Sequence, residues 1–125
     1  MDWKTDPNLE ASPSRQIVER ALDAIACGDL VSGDSLPSVR KMASEALVNH
    51  NTAARAYREL EGLGVVRPEN GKGVFVTRSG KKIARKRRQD ETLLVLQRAI
   101  DGALRAGHAP ESIQALFNKG KRRDA

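Results

Sequence analysis

Apolar residues recur at helical spacing from Ser14 to Cys27, where Ile17, Val18, Ala21, Leu22 and Ile25 share one face and Gly28 ends the pattern. Ser14, or Ser12 before Pro13, can supply the N-cap. Residues 33–37, Gly-Asp-Ser-Leu-Pro, read as a turn into a second helix from Ser38 to about Leu47, with Val39, Met42, Ala43 and Ala46 on one face. A short break at Val48 and Asn49 precedes a third helix, expected from His50 to about Gly62. Asn49 is its natural cap, its side-chain oxygen free to accept from the N–H of Asn51 or Thr52. Ala53, Ala56, Tyr57 and Leu60 form the inner stripe, and Leu63 falls in the terminating turn.

Two strand-like pieces follow, Val65–Arg67 and Val74–Thr77, separated by residues 68–73, Pro-Glu-Asn-Gly-Lys-Gly. Asn70-Gly71 is a hairpin signal because both residues tolerate positive φ. Beyond them a basic run leads into a helix with Leu93, Leu96, Ala99, Ile100, Ala103 and Leu104 in one stripe. Residues 107–110, Gly-His-Ala-Pro, break it, and Glu111 to Phe117 gives a short last helix with Ile113, Leu116 and Phe117 apolar. The expected fold is mostly α with a small β-hairpin. Three helices and a hairpin have the order of a winged helix-turn-helix domain, placed at residues 10–77. A basic linker and a two-helix tail occupy residues 78–125. The order alone also fits a small α+β domain of another kind.

A chain of 125 residues allows one compact domain and an appendage. Its net charge of +6 suggests a nucleic-acid partner until it is divided along the chain. Residues 1–77 hold nine basic and eleven acidic side chains, residues 78–88 seven basic and no acidic ones, and residues 89–125 six and five. The excess is therefore one run, Arg78 to Arg88, and such runs are commonly solvated faces. Bulk charge argues for DNA only weakly. No apolar run is long enough to span a bilayer, residues 1–10 carry no apolar signal region, and Cys27 is the single cysteine. A soluble, cytoplasmic protein is expected, with Cys27 packing at the end of the first apolar stripe. Two separated histidines, no carboxylate cluster at metal-ligand spacing and no Walker-type loop argue against an enzyme, a metal or a cofactor.

Particular residues narrow the choice. Gln16-Ile17, Ile25-x-x-Gly28-x-Leu30 and Gly33-Asp34-x-Leu36-Pro37-Ser38-x-Arg40 occur in order, followed by Asn51-Thr52, Arg58-Glu59-Leu60-Glu61-x-Leu63-Gly64 and Gly71-x-Gly73-x-Phe75-Val76. Residues 13–77 thereby resemble the DNA-binding domain of the GntR family of bacterial regulators. Residues 48–57 are most similar to its YtrA-like subgroup, whose members have short helical tails.

The resemblance implies that Arg40 reaches DNA, where its planar fork suits guanine or phosphate. Ser38 then caps the second helix or bonds a phosphate. Lys41 stands where many members have glutamate. Asn49, His50, Asn51 and Thr52 form the turn that the family inserts in the major groove, with Asn51 suited to adenine and Thr52 to phosphate. His50 replaces a residue that is often arginine or proline. Some members use an arginine at the position of Ala54; here Arg55 is its neighbour and replaces it or touches the backbone. In the wing, Gly71 permits close approach and Lys72 enters the minor groove or holds a phosphate.

The tail stripe must be buried. Leu93, Leu96, Ile100, Leu104, Ile113, Leu116 and Phe117 are the expected dimerisation residues, the alternative being packing on the same domain. A two-fold dimer suits a palindromic DNA operator, and the basic run would grip phosphates. The tail is too small to enclose a drug-sized ligand readily, and whether any small-molecule effector exists is left open. The expected function is sequence-specific regulation of transcription, with repression favoured. The alternative is a winged-helix module for protein contact or plasmid and chromosome maintenance.

Overall fold

The computed structural model describes residues 1–123. They form, in order, α1 (Pro13–Cys27), β1 (Ser35–Leu36), α2 (Val39–Ala46), α3 (His50–Leu63), β2 (Val66–Glu69), β3 (Gly73–Val76), α4 (Gly80–Arg105) and α5 (Pro110–Arg123). The first compact unit runs from Met1 to Arg88 and the second begins at Gln89, with α4 continuing from one into the other. The first unit is a winged helix-turn-helix. It is wider than residues 10–77 because segments on both sides pack on it.

Helix α1 starts at Ser12 rather than Ser14: the Ser12 hydroxyl accepts from the Arg15 N–H at 3.1 Å, and Pro13 occupies the first helical position, where no N–H is needed. Ile17, Leu22 and Ile25 of α1 are fully buried with Met42 of α2, Leu60 of α3, and Val65 and Val66. Fully burying such a side chain contributes roughly 1.5–3 kcal/mol, so this stripe dominates the unit's stability. Cys27 does not join it. It lies one residue short of the stripe's next repeat, is exposed, and its thiol donates only to the Ala24 carbonyl of the preceding turn.

The sheet has three strands, ordered β1-β3-β2 and antiparallel, where the sequence suggested a two-stranded hairpin. The segment read as a turn at residues 33–37 contains β1, drawn to β3 by bonds from the Gly33 N–H to the Val76 carbonyl and from the Val76 N–H to the Asp34 carbonyl, both 2.9 Å. Strand β2 also runs further than expected, through Pro68 and Glu69. It is an edge strand, so proline's missing N–H costs no interior ladder bond.

The amino-terminal arm is part of this unit. Trp3 is only 4% exposed within the core cluster. Thr5 bonds the Ala46 carbonyl at the end of α2, and Gln16 exchanges side-chain bonds with the Asp6 backbone at 2.8 Å each way.

The run Arg78–Arg88 is not an extended linker. From Gly80 it forms the first turns of α4, because lysine and arginine are good helix formers and Ala84 and Ile83 pack inward. Gly80 is the closest approach: a Cβ there would lie 2.9 Å from the Val65 carbonyl oxygen and 3.2 Å from Val76 Cγ1. Arg88 pairs with Asp23 of α1. In the second unit, α5 continues beyond Phe117 to Arg123.

Candidate nucleic-acid interface

Three segments of the first unit carry the residues that the sequence singled out: the start of α2, the start of α3 and the β2–β3 turn. At α2, the Ser38 side chain accepts from the Lys41 N–H at 3.1 Å, so capping occupies its oxygen. Arg40 and Lys41 are exposed on the first turn, which contains no acidic residue. The positive end of the helix dipole and the guanidinium therefore share one sign, which favours a phosphate or a guanine edge.

At α3, Asn49 Oδ1 accepts from the Thr52 N–H at 2.8 Å and from the Thr52 hydroxyl at 3.0 Å. The Thr52 hydroxyl thus spends its single proton inside the protein and would have to release Asn49 before donating to a phosphate. His50, Asn51 and Arg55 are exposed, whereas Ala53, Ala56 and Tyr57 are buried beneath them. Asn51 and Arg55 are four residues apart and share one helix face. Arg58, three residues on, extends that face and is also exposed. In the sequence Arg58 stands out only as part of a family motif; its spacing of seven from Asn51 was the available signal.

The helix-turn-helix turn itself is unusual. Leu47 has φ +60°, alone among the described non-glycine residues in adopting a positive φ, and its side chain is 67% exposed. Its N–H reaches the Ser44 carbonyl, and the Val48 N–H reaches the Ala43 carbonyl at 3.0 Å. The turn is therefore hydrogen-bonded shut immediately before the α3 cap.

In the wing, the Lys72 N–H closes the turn onto the Glu69 carbonyl at 3.0 Å. Gly71 has φ +71°, at the third turn position where a type II turn requires a positive value. Asn70 does not use the left-handed region; Gly71 and Gly73 do, leaving Lys72 exposed between them. Behind this surface, the Tyr57 phenol donates to the Pro37 carbonyl and so ties α3 to the entry of α2.

The chain matches the model of the bacterial regulatory proteins of the gntR family over residues 13–76, which covers all three segments. It belongs to the GntR family. It is 33% identical over 76 residues to the transcriptional repressor YtrA of Bacillus subtilis, covering 61% of this chain and 58% of that protein. The chain thus spans well under two thirds of that relative's length. Solved structures extend the likeness into the tail. A transcriptional regulator from Oenococcus oeni is 31% identical with a TM-score of 0.74, covering 92% of this chain and 95% of that one. A GntR family regulator from Listeria monocytogenes is 29% identical with a TM-score of 0.77, covering 92% and 98%.

The second unit carries a separate surface. Leu96, Ile100, Ile113, Leu116 and Phe117 line an apolar groove of about 490 Å³ between α4 and α5. Leu93, Leu96, Leu116 and Phe117 are 67%, 52%, 71% and 60% exposed, and Leu104 is exposed as well. Among the described residues no cluster of potential metal ligands occurs, and no helix is long and apolar enough to cross a membrane.

Proposed function

We propose that the protein is a cytoplasmic transcriptional repressor that binds a palindromic double-stranded operator as a homodimer and has no catalytic activity. The observation that carries this reading is the α3 amino-terminal turn. It is capped from within by Asn49, has no acidic side chain, and presents His50, Asn51 and Arg55 outward above a packed apolar floor.

In this reading Asn51 and Arg55 read bases in the major groove, and His50 touches base or backbone. Arg40 holds guanine or phosphate, while Ser38, Asn49 and Thr52 act first as caps that set helix geometry. Lys72, carried past Gly71, enters the minor groove or grips phosphate. The outward residues Lys81, Lys82, Arg85 and Lys86 at the start of α4 add sequence-independent grip. DNA recognition belongs to the first unit and dimerisation to the second, where a large apolar surface on two helices needs a partner. A self-complementary dimer supplies that partner and matches two inverted half-sites. The repressor named among the relatives supports repression over activation.

Selection of bound sequences from a random-sequence duplex pool tests the proposal directly. The expected product is an inverted repeat protected by one protein dimer. Recovery of no enriched sequence, or of a single unrepeated site bound by a monomer, would overturn it.

A further inference from the structure

The amino-terminal arm lies outside the family-matched segment 13–76, yet it reaches the helix-turn-helix turn. The last carbonyls of a helix have no partner within it. Ala46 closes α2, and its carbonyl receives both donors of Thr5, the backbone N–H at 3.1 Å and the hydroxyl at 2.8 Å. Thr5 is 8% exposed and Trp3, two residues earlier, is buried in the core cluster. Asp6 is held in turn by Gln16, so residues 3–6 are fixed at three successive points.

The residue after Ala46 is Leu47, whose left-handed backbone is unfavourable for a branched side chain. Such a conformation persists only when its surroundings over-determine it. Two residues further on is the Asn49 cap, from which the exposed face of α3 begins. We infer that Thr5 is a positioning residue for DNA recognition: its two hydrogen bonds to the Ala46 carbonyl hold the strained turn, and through it the direction in which α3 presents Asn51 and Arg55. This rests on the DNA-binding reading above. It adds that recognition depends on a residue outside the three segments that carry the candidate DNA contacts.

Thr5→Val keeps the side-chain shape and the backbone bond but removes the hydroxyl, and Thr5→Ser restores it. Each variant is titrated as full chain against the duplex recovered by selection and against a random-sequence duplex. Folded fraction is followed by circular dichroism. A loss of folded protein lowers both affinities by the same factor, whereas a misdirected α3 lowers only the specific one. The expected result for Thr5→Val is about a three- to tenfold loss on the selected duplex, the scale of one hydrogen bond, with random-sequence binding unchanged. Thr5→Ser is expected to match the wild type. Equal losses on both duplexes, no loss on either, or failure of serine to rescue would overturn the positioning role. If the wild type itself prefers no duplex, the DNA-binding reading fails instead.

Discussion

The Tyr57 phenol, on the helix proposed to enter the major groove, donates its hydrogen bond to the carbonyl of Pro37, one residue before the cap of α2. Twenty residues of chain are closed by that bond, and both proposed DNA-reading helices are held to one geometry. Burial, reinforced by the charge of Glu45, raises the phenol above its ordinary value of 10.0, because the phenolate would lose hydration and face a like charge.

A proton held more tightly in the folded state favours that state fully only while the unfolded phenol keeps its proton too, because above that pH unfolding is drawn on by proton release. The contribution is fully present below about pH 10 and fades as pH rises through the higher folded value. Tyr57 is the only tyrosine, so phenolate absorbance reports it alone. It is expected to stay silent in the folded protein at pH values where the denatured protein already titrates. Tyr57→Phe should cost about 1 kcal/mol at neutral pH in a denaturant titration, because the Pro37 carbonyl loses its donor. It should also flatten the alkaline loss of stability.

Two glycines should respond to alanine with opposite signs. At Gly80 the added methyl would meet the Val65 carbonyl oxygen at 2.9 Å, a backbone atom that cannot yield cheaply. Gly80→Ala is expected to cost about 1–3 kcal/mol. At Gly62, near the end of α3, nothing lies within 4 Å and φ is not positive. Gly62→Ala is expected to add up to about 0.5–1 kcal/mol through reduced chain entropy. Thermal unfolding of the two variants beside the wild type checks both signs.

What the sequence disclosed and what it concealed follow a physical division. Helices α1, α2 and α3 were legible because each buries a stripe at helical period, and Ser38 and Asn49 announce their caps. Strand β1 was not, since two residues carry no period and pair only because β3 arrives 38–40 residues later. The arm was hidden for the same reason: Thr5 finds its acceptor 41 residues away. The candidate site was named through motif spacing at Arg40, Asn51 and Lys72, all of which are exposed in the structure. Spacing could not reveal that the Thr52 hydroxyl is committed to Asn49, because a rotamer choice leaves no trace in residue order.

The outward basic residues of α4 give a salt-dependent prediction. Each basic side chain that grips a phosphate should steepen the log–log salt slope of binding by about 0.9. Replacing Lys81, Lys82, Arg85 and Lys86 together by glutamine is expected to flatten the slope on selected and random duplexes alike, by up to about 3.6. The preference for the selected sequence should persist. Affinity measured across a salt series decides the matter, and an unchanged slope would leave these residues without a phosphate role.

The apolar surface of the second unit gives the last prediction. Leu96 and Phe117 line its groove and are each more than half exposed, so a charge placed there meets water in a monomer and an apolar face in a dimer. A monomer should tolerate Leu96→Glu or Phe117→Glu with stability nearly unchanged, as at other surface positions. A dimer should not, because each two-fold interface would bury the new charge twice. Sedimentation is expected to show the wild type as a dimer and either variant as a folded monomer. Binding to one half-site should then survive while the tight binding of the full inverted repeat disappears. That outcome separates dimerisation from recognition, since every residue of the α3 tip is left intact.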